Sequence, residues 1–257
     1  MHSLIGAIPQ STLYALLTAH FIAFGSFLGA AIFRLAENPL SLVTGLSGCR
    51  SCGAPVRIWH MVPVLSWLAL KGRCLRCHSP LSPIYPIVEG GTILAWIVGV
   101  CLARAPLPAF ALGMLGGLLL ALAIMEIRVG RLAPALAAPL APIGLGLALL
   151  APWGGVYPAA SLLGAVLAGL IILAVRAMID RGLVQPPAFV GPLGSCEAIL
   201  LTIAGFWTGA FGVLVALALA LLVKALARLL PKPADLWPLG VWLAAATYLI
   251  TILGPFV

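Results

Sequence analysis

Apolar residues run along this chain in seven long blocks, and the segments between them hold nearly all of its charge. The blocks are Leu13 to Phe33, Ile84 to Ala103, Leu107 to Met125, Leu132 to about Ala151, Val156 to Val175, Ala198 to Val223, and Leu239 to Val257. Each is close to or above the ~20 residues a helix needs to cross a hydrocarbon layer. The pattern therefore predicts a bundle of membrane helices. The sixth block is 26 residues long and contains Gly205, Gly209 and Gly212. It reads either as one long helix or as two short ones turning near Thr208-Gly209.

The basic residues decide between these. With the N-terminus outside and the sixth block divided, the loops 34–83, 126–131, 176–196 and 224–237 all face the cytoplasm. They hold Arg34, Arg50, Arg57, Lys71, Arg73, Arg76, Arg128, Arg131, Arg176, Arg181, Lys224, Arg228 and Lys232, thirteen of the fourteen Lys and Arg residues. Only Arg104 falls outside. An undivided block would put Lys224, Arg228 and Lys232 on the wrong side for the positive-inside rule. The expected fold is thus an all-α polytopic membrane protein of about eight transmembrane helices with both termini outside. Its parts are a first helix at 1–33, a cytoplasmic loop at 34–83 and a multi-helix domain at 84–257.

Composition sharpens this. Of 257 residues, 63% are hydrophobic and 8% charged, against roughly 25% charged in soluble domains. A water-soluble fold and a disordered chain are both excluded. The net charge of +8 then points to the cytoplasmic side and to lipid headgroups, not to nucleic acid. The opening MHSLIGAIPQ lacks a basic n-region, so no cleavable signal peptide is expected. No repeat of fixed period is evident. Trp59, Trp67 and Trp237 are expected at headgroup depth as interface anchors.

The loop carries two Cys-x-x-Cys pairs, Cys49 with Cys52 and Cys74 with Cys77. Four thiols so spaced suit a tetrahedral structural zinc site, with Gly48, Gly53 and Gly72 supplying tight turns. A reducing compartment disfavours disulfides. Four free thiols or a redox pair are the alternatives, and His78 is a possible substitute ligand.

The chain has six acidic residues. Glu37 and Asp235 are expected to be solvated in loops, and Asp180 to pair with Arg176 or Arg181. Glu89, in the second apolar block, Glu126, closing the third, and Glu197, opening the sixth, are costly in a membrane and so mark function by default. Glu126 and Glu197 lie at one depth. Two carboxylates there can share a proton, one activating water and the other protonating a leaving amine. Salt bridges to Arg128 or Arg181 are the competing explanation.

Several stretches resemble the type IV prepilin peptidases. They are Gly25-Ser26-Phe27-Leu28 and Ile32-Phe33-Arg34-Leu35 in the first helix, the tetracysteine loop, Val62 to Leu70 leading through Gly72-Arg73 into Cys74, and Tyr85-Pro86-Ile87-Val88-Glu89. The similarity is read over nearly the whole chain. It implies a GxGD-type aspartic endopeptidase of the bacterial inner membrane. Such an enzyme removes the short basic leader of prepilins and pseudopilins, and many members then methylate the new N-terminus with S-adenosylmethionine. On that basis Glu126 and Glu197 are the expected catalytic pair, Glu89 a candidate contact for the basic leader, and prepilins and membrane lipids the expected partners.

The chain departs from the family where the chemistry lies. Met125-Glu126-Ile127-Arg128-Val129-Gly130-Arg131 holds Glu126 where the family has its first Asp. Gly194-Ser195-Cys196-Glu197 holds Glu197 for the second, Cys196 for a glycine and Ile199 for a lysine. Gly29 replaces an Asn. Both carboxylates persist, each one methylene longer. The chain either still cuts, or is a silenced relative serving as a membrane scaffold or pilin-assembly protein, or retains methylation alone.

Overall fold

The computed structural model describes residues 9–37, 48–55, 62–103, 105–130, 132–150, 156–182, 195–227 and 238–254. Arg57, Trp59, Arg104, Arg131, Gly194, Arg228, Lys232, Asp235 and Trp237 lie outside them. The described residues form nine helices and no strand. These are α1 (Gln10–Glu37), α2 (Leu65–Ala69), α3 (Ile84–Ala103), α4 (Pro106–Val129), α5 (Pro134–Ala137), α6 (Leu140–Leu150), α7 (Pro158–Asp180), α8 (Ser195–Ala227) and α9 (Leu239–Leu253). Five of them, α1, α3, α4, α7 and α8, are long and apolar enough to cross a membrane.

Proline and glycine set the boundaries. Pro86, Pro106, Pro134, Pro142 and Pro158 each fall in the first turn of a helix, where a missing N–H breaks no bond and the fixed φ favours the helix. Gly130 and Gly182, both at φ 67°, close α4 and α7 as left-handed caps. The Gly130 N–H donates to the Glu126 carbonyl at 2.9 Å and the Gly182 N–H to Ile179 at 2.9 Å.

Two expectations about the helices change. The fourth apolar block is not one helix: it divides into α5 and α6 at Pro139, whose ring cannot continue a helix. The sixth block is helical from Ser195 to Ala227, beyond the expected end at Val223, so Lys224 is not in a loop. Its helicity is interrupted at Gly209, where φ is 70° and ψ −174°, a region essentially confined to glycine. The break falls where the sequence suggests a turn.

The chain forms two compact units, Met1–Ala121 and Leu122–Val257. In the first, α1 packs along α3. Phe21 stacks on Trp96 with centroids 4.7 Å apart, and the Trp96 Nε1–H donates to Thr18 at 3.0 Å. Gly25 lies against the backbone of Glu89, so the two helices meet without an intervening side chain. In the second unit, α8 packs against α6, α7 and α9. Gly164 of α7 and Gly205 of α8 meet backbone to backbone, and a Cβ on either would collide. Small residues thus set helix separation where lipid offers no hydrophobic drive. The Trp207 indole covers Gly144 and donates to the Leu140 carbonyl at 2.8 Å.

Candidate functional site

The first unit gathers the four cysteines. Cys49, Cys52, Cys74 and Cys77 place all four sulfurs within 4.8 Å of one another. The Cys49 and Cys77 sulfurs are 3.8 Å apart. Zinc–sulfur bonds of about 2.3 Å give a tetrahedron with edges of about 3.8 Å, so the donor set and its spacing fit zinc. His78 is not part of the group.

The two knuckles repeat each other at an offset of 25 positions, a local repeat that chain-wide periodicity does not reveal. Gly48 bridges Pro55 as Arg73 bridges Pro80. The Cys49 N–H donates to Ala54 at 2.8 Å and the Cys74 N–H to Ser79 at 2.9 Å. The Gly53 N–H returns to Cys49 as the His78 N–H returns to Cys74. Gly53 and His78 accordingly share a left-handed backbone, with φ 66° and 57°. Gly72 also turns at positive φ, whereas Gly48 does not. Trp67, expected at a membrane interface, lies over Gly72 and donates to the Leu81 carbonyl at 3.4 Å.

The thiols are not equivalent. The backbone N–H groups of Cys52 and Ser51, with the Ser79 side chain, pull Cys49 down to about 6. The Ser79 side chain and backbone lower Cys77 as well. At Cys52 the Ala54 N–H favours the thiolate, but desolvation and the neighbouring sulfurs outweigh it and push the thiol up to about 11. Crowded sulfurs cannot all ionise without a cation among them.

Arg50, on the first knuckle, pairs with Glu37 at the end of α1 and lies over the Phe33 ring at 5.0 Å. Phe33 in turn stacks on Tyr85 at 4.7 Å. Glu37 is therefore exposed but ion-paired, not simply solvated.

Glu89 is 7% exposed. Its Oε2 accepts the Val64 N–H at 2.7 Å, and its Oε1 accepts the Ser26 hydroxyl at 3.0 Å. Val64 precedes α2 with φ 59°, a conformation that β-branched residues avoid. One carboxylate on α3 thus ties α1 to a strained turn of the loop.

The other two acids both lie in the second unit. Glu126 lies near the end of α4, is 4% exposed, and accepts the Gly240 N–H. Its Oε2 is buried with no hydrogen-bond partner among the described residues. Glu197 is in the first turn of α8, where the helix dipole favours an anion. It is half-buried, and its charge acts on Glu126. Lys224, in the last turn of α8, is 7% exposed and also acts on Glu126. Gly240, at the start of α9, approaches so closely that a Cβ there would strike both carboxylate oxygens of Glu126.

Sequence reading finds both acids and misses Lys224 and Gly240. For Lys224 a signal exists: Leu221-Leu222-Val223 precede it and Ala225-Leu226-Ala227 follow it. A lysine flanked by apolar residues on both sides belongs to the helix. Nothing local marks Gly240.

Residues 21–103 match the bacterial peptidase A24 N-terminal domain. The chain is 31% identical over 172 residues to a prepilin leader peptidase/N-methyltransferase of Pseudomonas putida, covering 59% of this chain and 58% of that one. It is 30% identical to a protein of the same name from Burkholderia pseudomallei, over 58% and 55% of the two chains. It is 34% identical to another from Klebsiella pneumoniae, over 48% and 57%. The chain thus spans little more than half the length of these relatives, and less of it is matched than the sequence motifs suggest. No solved structure matches it significantly.

Proposed function

We propose, since the chain belongs to the type IV prepilin peptidase family, that it is an endopeptidase of the bacterial inner membrane. It removes the basic leader of type IV prepilins or pseudopilins. The observation that carries this reading is that the charge of Glu197 acts on Glu126, one of whose oxygens is buried with no hydrogen-bond partner among the described residues. Two carboxylates so arranged can hold one proton between them. The ionised member takes a proton from water, and the protonated one delivers its own to the leaving amine. Eight crossings, with the sixth block divided at Gly209 and the tetracysteine loop inside, put the cut at the cytoplasmic edge.

In this reading the four cysteines hold a structural zinc that keeps the loop folded. S-adenosylmethionine is the cofactor if the second activity named in the relatives is retained. As a leader contact, Glu89 would have to exchange its two internal hydrogen bonds for the substrate. The geometry favours a positioning role for it instead, holding Val64 and Ser26.

A second reading rests on one specific observation, Glu at both acid positions. It makes the chain a silenced scaffold that binds pilins without cutting them. Incubating the purified chain with a co-encoded prepilin in detergent or nanodiscs decides between the two. Release of the leader, seen by mass spectrometry of both fragments, supports the peptidase. Binding with no cleavage supports the scaffold.

Gly240→Ala is expected to push the Glu126 carboxylate aside, because the added methyl meets a side-chain end and not a backbone. A displacement of ~1 Å costs about a hundredfold in rate. The thermal midpoint should change little. Full activity in Gly240→Ala, measured on the same prepilin, would count against Glu126 as a reacting group.

A further inference from the structure

Among the described residues of the second unit Lys224 is the buried cation, and its burial needs a reason. Lysine is almost never buried unless paired, and an ammonium in a membrane bundle marks function by default. A lysine in the last turn of a helix already gains from the dipole, but that gain is available with the side chain in solvent or among headgroups. Here the side chain turns inward, at 7% exposure, and its charge acts on Glu126.

The surroundings of Glu126 show what the charge does. The carboxylate has one backbone donor, from Gly240, and a second oxygen with no hydrogen-bond partner among the described residues. Glu197 adds a like charge to the same neighbourhood. Two acids and one N–H do not balance in a low-dielectric setting, where an uncompensated pair is expelled or forced to take up protons. A positive group that acts on Glu126 without bonding to Oε2 balances the charge and leaves that oxygen free for a reactant.

We propose that Lys224 is the positioning counter-charge of the Glu126–Glu197 pair, brought in by the last turn of α8 while the first turn of the same helix brings Glu197. The break at Gly209 divides those two turns into separate helical segments, so one element supplies both a reacting acid and its counter-charge. The catalytic part of this inference rests on the peptidase reading above; the charge pairing itself does not.

The test uses the full chain with Lys224→Met, Lys224→Arg, Glu126→Gln and the Lys224→Met/Glu126→Gln double variant. The first measurement, the thermal midpoint, is independent of cleavage. Lys224→Met leaves the buried Glu126 charge uncompensated and should lower the midpoint, whereas Glu126→Gln leaves Lys224 with only the half-buried Glu197 as counter-charge and should lower it less. The double variant should lie above the Lys224→Met single, because neighbouring groups couple. The second measurement is prepilin cleavage. Lys224→Met should lower kcat about 10- to 100-fold with KM nearly constant, and Lys224→Arg should recover most of the loss.

Additive midpoint losses overturn the pairing, and a kcat that survives Lys224→Met overturns the positioning role. If the natural chain cuts no prepilin while the midpoints still couple, the pairing stands and the peptidase reading fails. If it cuts and the midpoints add, the peptidase reading stands and this one fails. Should Lys224→Met alone not fold, a folded double variant supports the pairing, and a double variant equally unable to fold overturns it.

Discussion

If the chain is the proposed peptidase, Glu126→Gln and Glu197→Gln are each expected to abolish prepilin cleavage, while the purified proteins keep their helical content. Glutamine preserves length and hydrogen bonding but has no proton to exchange. In the proposed mechanism the two acids divide the work of base and acid, so neither can replace the other, and each loss should cost about 10²–10⁴-fold. The double exchange to Asp asks a further question. It shortens both side chains by one methylene and withdraws each carboxyl by ~1.5 Å, enough to cost a hundredfold or more if the helices stay in place. An active natural pair with an inactive Asp pair means that α4 and α8 are spaced for glutamate. Cleavage by the Asp pair alone identifies the natural chain as silenced. Rates on one prepilin for these variants and the parent, with circular dichroism as the folding control, separate these outcomes.

Replacing Cys74, the buried member of the cysteine group, with Ser is expected to abolish the proposed zinc binding and to unfold both knuckles. The parent should carry close to one zinc per chain by elemental analysis, and Cys74→Ser almost none. Zinc in small thiolate sites is worth about 10–16 kcal/mol of apparent binding energy near neutral pH, so the knuckles are expected to depend on it. Amide exchange at 48–55 and 72–80 should rise to that of an unprotected loop. Binding should also tighten as pH rises. Cys49, held near 6, is already a thiolate at neutral pH. Cys52, held near 11, is still protonated there and must release its proton to bind. A metal-free parent with protected knuckle amides would contradict the prediction.

The helices were largely legible because burial in lipid needs only length and apolarity, and both are local. The Gly209 break was legible for a related reason: Gly205, Gly209 and Gly212 together weaken a helix that is already longer than the membrane requires. The division of the fourth block was less so. Pro134, Pro139 and Pro142 are all visible, but a proline in a first turn is benign and one a few residues on is not. Only the observed boundaries say which is which. The site was half legible. Acids and cysteines stand out in an apolar chain by their cost, so Glu89, Glu126, Glu197 and the cysteines could all be named. Their partners could not. That Glu89 holds Val64, that Gly240 meets Glu126, and that Lys224 turns inward are contacts between distant segments, and no periodicity encodes them. The matching of the two knuckles was hidden by chemistry as well, since His78 takes a left-handed conformation that glycine takes in its counterpart.

The hydrogen bond from Val64 to Glu89 bears on what the loop would do if the proposed zinc were removed. Val64 and Cys74 are ten positions apart, and the far end of the second knuckle leads directly into α3. With Val64 still held, Cys74 and Cys77 would remain on a short closed tether after zinc left. Thiols on such a tether meet the first knuckle at an effective concentration of about millimolar. Recapture of zinc is then an intramolecular event whose rate is set by the tether and not by protein concentration. Chelation should therefore be reversible on adding zinc back. A single buried carboxylate would thus let the loop keep part of its folded form when the proposed zinc is stripped.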